Sequence, residues 1–131
     1  MINTDVYSYI NVLDKAADAS WMREEAISNN IANVSTPGYK RQDVDFESVL
    51  QRELGNSQYT SLDEKVRNVD LSGLNVSAYT DSASYSYRLD GNNVDIDTEN
   101  VELASETIRY QALTENCIAS EFTRLTTALG R

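Results

Sequence analysis

From Val6 to Val34 the chain contains no Gly or Pro, and its apolar residues recur every third or fourth position. Val6, Ile10, Leu13, Ala17, Ile27, Ile31 and Val34 form a heptad seam, broken near its middle by Ser20 and Glu24, with Trp21 and Met22 beside it. This pattern predicts a helix of about 44 Å that meets different neighbours along its length. The other end of the chain repeats the arrangement. Val101, Ala104, Ile108, Ile118, Phe122, Leu125 and Leu129 follow at steps of three and four, with Gln111 and Glu115 as the polar breaks. Asp97 is the expected N-cap of that second helix, and Gly130 with Arg131 suits its end. The seam residues Ile10, Leu13, Ile27, Ile31, Ile108, Ile118, Phe122 and Leu125 serve equally an intramolecular helix pair or contacts between subunits.

The middle reads differently. Asp43 to Leu54 predicts a short helix with Phe46, Val49, Leu50 and Leu54 on one face, Asp45 as its cap and Gly55 at its end. Residues 56–93 are rich in Ser, Asn, Asp and Tyr. Tyr85 to Leu89 and Val94 to Asp97 alternate as strands do, around a turn signal at Asp90-Gly91-Asn92-Asn93. Both a small hairpin and chain without structure in the monomer fit this stretch. The expected fold is mainly α: long N- and C-terminal helices pairing as a coiled-coil-like core around a short irregular or small-β middle. Its parts are a core helix over 1–34, the turn, short helix and irregular segment over 35–97, and a core helix over 98–131, all in one domain.

Composition narrows the function. The net charge of −10 opposes binding to nucleic-acid phosphates or anionic lipid. Histidine is absent, so the commonest general base and metal ligand is missing, and Cys117 is the single cysteine. No Ser-His-Asp triad and no Gly-rich phosphate loop can be drawn. The acidic group Asp90, Asn92, Asp95, Asp97 and Glu99 does not match a calcium loop, because counting back from Gly91 places Ser86 at its first position. No catalytic, cofactor or metal site is therefore expected. The first residues lack a basic stretch before an apolar block, so no cleavable secretory signal is expected either.

Where the first helix should stop, the chain reads Asn30-Ile31-Ala32-Asn33, then Thr36-Pro37-Gly38-Tyr39-Lys40-Arg41. Asn33 suits a left-handed helix end, and Pro37-Gly38 suits the centre of a type II turn. The whole string, followed by Asp43-Val44-Asp45-Phe46, resembles the signature of the flagellar axial proteins, the family of rod, hook and hook-associated subunits. With Asp90 to Asp97 and Tyr110-Gln111-Ala112-Leu113 it is most similar to the FlgB-type proximal rod branch, over about residues 10–54 and 88–129.

The resemblance implies export through the flagellar type III apparatus and helical stacking around the export channel, with torque transmitted along the rod. It also implies partners: other copies of the chain, FlgC-like rod proteins, the FliE adapter, the export gate and the membrane ring. The turn motif Asn30, Ile31, Ala32, Asn33, Thr36, Pro37, Gly38 and Tyr39 is the expected assembly element. A soluble coiled-coil adapter or secretion chaperone is the competing reading; it shares the two striped helices but has no use for the fixed turn. Each seam alone buries too little to order some thirty residues, so ordering is expected to need the opposite terminus and neighbouring chains.

Overall fold

The computed structural model describes residues 4–56, 58–81 and 88–130. In chain order it contains α1 (Thr4–Ala32), β1 (Gln42–Asp43), α2 (Glu47–Gly55), α3 (Leu62–Arg67), a 3-10 turn (Leu71–Leu74), β2 (Tyr79–Thr80) and α4 (Ile96–Ala128). Helices α1 and α4 lie side by side and antiparallel. Asn30 reaches Glu99, Ser20 reaches Glu106, and the Trp21 ring stacks at a tilt on Tyr110 with centroids 5.8 Å apart. From Asn30 back to Ser20 the partner on α4 moves forward from Glu99 to Glu106, which fixes the direction.

The seam of α1 is turned inward. Ile10 and Ile27 are buried, while Leu13, Ala17, Ile31 and Val34 are half-buried. Its two polar breaks are covered as well: Ser20 is buried and Glu24 half-buried. The middle of the chain packs against the flank of α1 that α4 leaves open, through α3 and the 3-10 turn. Val66 and Leu74 supply the buried apolar side chains of that layer. Tyr9 donates to Asp63, and Lys15 donates to Asn75, tying α1 to it at the surface.

Several local features depart from the sequence reading. Asp95, not Asp97, caps α4: it is extended, and its carboxylate accepts the Asp97 amide at 3.1 Å and the Thr98 hydroxyl at 3.1 Å. Ile96 and Asp97 are helical, so no strand forms over 94–97. Arg88 and Leu89 lie in a turn closed by the Gly91 amide on the Arg88 carbonyl, and Tyr85 to Tyr87 of the expected strand lie outside the described residues. The β pairing runs instead between Gln42–Asp43 and Tyr79–Thr80, antiparallel. Asn33 is not left-handed, since no non-glycine residue described has a positive φ. Its amide donates to Asn29 and Asn30, and the chain leaves α1 through tight turns.

The N-cap of α2 is Phe46, one residue after the expected Asp45, and it makes no side-chain cap of its own. The Ser48 amide donates to the Asp45 carboxylate at 3.0 Å, and this bond holds the Asp45 pKa below its ordinary value. Gly130 has φ +71° and closes α4 by donating to the Thr127 carbonyl; Arg131 lies outside the described residues.

Two outcomes follow from this packing. Leu74→Ala is expected to lower unfolding free energy in urea by about 2–5 kcal/mol, because the side chain is fully buried and its cavity sits between α2 and α1. An unchanged midpoint would mean that the middle layer is not packed. Burial, aided by the nearby Asp14 carboxylate, raises the Cys117 thiol pKa above its ordinary value. Less thiolate is then present at neutral pH, so iodoacetamide should alkylate the folded chain more slowly than the urea-unfolded chain.

Candidate assembly site

The turn at the end of α1 is held by a segment more than fifty residues away. The Tyr39 amide donates to the Thr36 carbonyl, and Gly38 takes φ +74°, the bond and the dihedral of a type II turn. A Cβ at Gly38 would touch nothing within 4 Å, so only backbone conformation demands glycine there. Opposite it, Gly91 has φ +75° and lies against the Gly38 Cα. The Gly38 amide donates to the Asp90 carbonyl at 2.7 Å, and the Lys40 ammonium donates to the Gly91 carbonyl.

Asn92 is the centre of this clasp. It is fully buried, and its amide nitrogen donates to the carbonyls of Asn33, Val34 and Thr36 at 2.8, 3.1 and 2.9 Å. All three lie in the turns just past α1, where the Asn33 carbonyl also accepts the Thr36 amide and the Thr36 carbonyl the Tyr39 amide. The Asn92 Oδ1 accepts the Val94 amide at 2.8 Å. Arg88 adds a bond from its guanidinium to the Val34 carbonyl at 2.6 Å. Asn93 does the equivalent for the outgoing chain: its Oδ1 accepts the Arg41 amide, and its Nδ2 donates to the Asp81 carbonyl.

Asn30 plays the matching part from within α1. Its Nδ2 donates to the Gln42 carbonyl and to Glu99, and its Oδ1 accepts the Gln42 amide and the Tyr39 hydroxyl. Burial and the neighbouring Glu99 charge raise the Tyr39 pKa, which keeps the phenol protonated as a donor. Thus Asn30, Asn33, Thr36, Gly38 and Tyr39 are brought together. Ile31 is half-buried, whereas Ala32 and Pro37 are exposed and make no side-chain bond of their own.

Below the clasp, two guanidiniums cross-link five carboxylates between α1, β1, the chain after β2 and α4. Arg23 bonds Asp43, Glu102 and Glu106, each at 2.9 Å. Arg41 bonds Glu99 and Asp81 at 2.7 Å and approaches Asp43 at 3.5 Å. Glu99 and Glu106 are 1% and 2% exposed. Burial opposes the charge on each arginine, but the hydrogen-bonded carboxylates outweigh it and raise both pKa values. Ser20 completes the layer by donating to Glu106 at 2.6 Å. The polar break in the α1 seam is therefore filled by α4 carboxylates.

The face of α4 turned to α1 contains Glu99, Leu103, Glu106, Tyr110, Leu113 and Cys117, a heptad row whose fully buried members are both glutamates. The apolar stripe lies two residues further on, about 200° around the helix. Its large members Val101, Ile108, Ile118, Phe122, Leu125 and Leu129 are all 58–69% exposed. The residues Ile108, Ile118, Phe122 and Leu125 accordingly take no part in the intramolecular pair. Sequence periodicity found the stripe but not its direction. The signal for direction lay in the charges: Arg23 and Ser20 on α1 have their partners at Glu99-plus-seven spacing on α4.

Replacing Asn92 tests the clasp. Asn92→Ala removes one of the donors at each of three carbonyls and takes the acceptor from the buried Val94 amide, so it is expected to cost about 1–3 kcal/mol in urea unfolding. Asn92→Asp should cost more, since a carboxylate would then face those oxygens. Equal stability of both variants with the native chain would contradict the clasp.

Among the described residues no cluster of metal-ligating side chains occurs, and no helix is long and apolar enough to cross a membrane. A family model described as flagella basal body rod protein matches residues 15–40, which span the second half of α1 and the turn. A relative from Bacillus subtilis (strain 168), the flagellar basal body rod protein FlgB, is 37% identical over 92% of this chain and 92% of its own. The Borrelia hermsii protein of the same name is 34% identical over 80% of this chain and 84% of its own. That of Escherichia coli (strain K12) is 32% identical over 68% and 70%. Identity at that level across nearly the whole length, together with the matched turn, means that the chain belongs to the FlgB family of flagellar basal body rod proteins.

Proposed function

We propose that this chain, a structural subunit of the flagellar basal-body rod, stacks helically in the proximal rod around the export channel and transmits torque. The observation that carries this reading is the outward apolar stripe of α4. A chain that spends the polar face of its C-terminal helix on itself and keeps an apolar face about 42 Å long in solvent is built to be covered by other chains. The clasp supports the same reading, because a load-transmitting subunit needs a fixed angle between its helix pair and the chain that leaves it. Partners of the rod layer are other copies, FlgC-like rod proteins, the FliE adapter, the export gate and the membrane ring. Delivery is by the flagellar type III apparatus. A free-standing coiled-coil adapter would not need the turn at Thr36 to Tyr39.

The test is incorporation in a motile bacterium that carries the chain. Ile118→Ser with Phe122→Ser leaves the monomer folded, since both side chains are exposed, but should remove the chain from isolated basal bodies and abolish motility. Pro37→Ala with Gly38→Val should spare export and likewise block incorporation, because a β-branched residue cannot hold φ +74°. Normal motility with both pairs of substitutions would refute the rod assignment of these surfaces.

A further inference from the structure

The exposed stripe of α4 is complementary to itself. Two copies laid antiparallel about the level of Leu113 bring Val101 opposite Leu125, Ala104 opposite Phe122, and Ile108 opposite Ile118. Gln111 then faces Glu115, and the two-fold axis repeats every pair. Apolar side chains meet apolar side chains along the seam, and its two polar layers fall together at the centre, where an amide can donate to a carboxylate. Polar layers inside an apolar seam fix register and orientation. Other alignments lose the match. Sliding one copy by a heptad sets Glu115 against Ile118 or Ala104, and parallel pairing in register opposes Glu115 to Glu115.

The flanks of the stripe favour the same pairing. Ser105, Ala112 and Ala119 border it on one side, Thr107 and Thr114 on the other, so two helices can approach closely. The hydroxyls of Thr107 and Thr114 donate to the Leu103 and Tyr110 carbonyls of α4 itself, and covering them leaves no donor unpaired. Glu121 is the charged residue of these flanks, and it would face Thr107. The exposed row of α1 is a poorer partner. It holds Trp21, but Asp14, Asp18 and Glu25 would bring three carboxylates to a stripe that contains no cation.

We infer that the outward face of α4 takes the same face of a second copy, antiparallel, closing a two-fold dimer. The inference rests on the rod reading in one respect, that α4 is a face other chains cover. A two-fold contact uses one patch on both copies and cannot propagate, so it is distinct from helical stacking and keeps the stripe from open-ended assembly until the pair separates. The paired faces, from Val101 to Leu125, are about 36 Å long and about 10 Å wide. That is well below the roughly 800 Å² per partner of a standard interface. The dimer is accordingly weak, and dilution returns the monomer with its stripe in solvent.

The test uses the full chain. In sedimentation equilibrium it should pass from monomer to dimer, and no further, as concentration rises from micromolar to millimolar. Gln111→Glu leaves the apolar pairs intact and sits at an exposed helical position, where circular dichroism checks the fold. By opposing two carboxylates in both central layers, it should raise the dimer Kd at least about tenfold. Orientation is read with a short bis-maleimide on chains carrying Cys117→Ala. Ala112→Cys should link to its own copy, whereas Ser105→Cys and Ala119→Cys should link only when the two variants are mixed. A monomer at millimolar concentration, an open series of oligomers, a Kd unchanged by Gln111→Glu, or linking of Ser105→Cys to itself would each overturn the inference. Failure of the rod reading is separately visible as absence of the chain from isolated basal bodies, with the dimer intact.

Discussion

Two buried carboxylates decide how this molecule presents itself. Glu99 and Glu106 lie almost without solvent between α1 and α4, and each is held by a guanidinium, Arg41 and Arg23 respectively. A buried ion pair contributes little net stability, because desolvation offsets most of its attraction, but breaking it is costly. Its effect here is on register and rotation. Turning α4 to bring Ile108 and Phe122 inward would carry both glutamates into solvent and leave Arg23 and Arg41 without their deepest partners. The apolar stripe therefore stays outside, and the subunit leaves its monomer state with its most adhesive surface unspent.

The clasp extends this control to the chain direction. Asn92 donates to three carbonyls just past the end of α1, and Asn30 fixes the strand that returns from it. The two segments that carry the family resemblance, around Pro37 and around Gly91, are thus halves of one hydrogen-bonded unit. Because its halves are far apart in sequence, the unit closes only after most of the chain is available, at the entropic cost of a long loop. Such an arrangement suits a chain whose final shape is needed only at its destination.

Much of the fold was legible from periodicity. The inward face of α1 follows its seam, because Ile10 and Ile27 obey the ordinary rule that apolar residues are covered within the chain. For α4 the same rule points the wrong way, since its two fully buried residues are glutamates and its large apolar stripe lies in solvent. Short elements escaped for a different reason. The two-residue ladder of β1 and β2 is too brief to have a period, and α3 with the 3-10 turn depends on local caps, Ser61 and Asp70, and on burial of single residues, Val66 and Leu74. The cap of α4 was displaced by two residues because Asp95 and Asp97 are chemically equivalent, and only backbone geometry chooses between them. At the turn, Pro37 and Gly38 announced the bend, but nothing local to them announced Asn92.

Helix α4 shows its apolar face to solvent in the free subunit, and assembly into the rod is expected to cover it. Hydroxyl-radical footprinting of the purified chain and of isolated basal bodies measures that side-chain accessibility directly. Strong modification of Ile118, Phe122 and Leu125 in the free chain, lost in the basal body, is the predicted result. Protection of those side chains already in the free monomer, or their continued modification in the assembled rod, would contradict it.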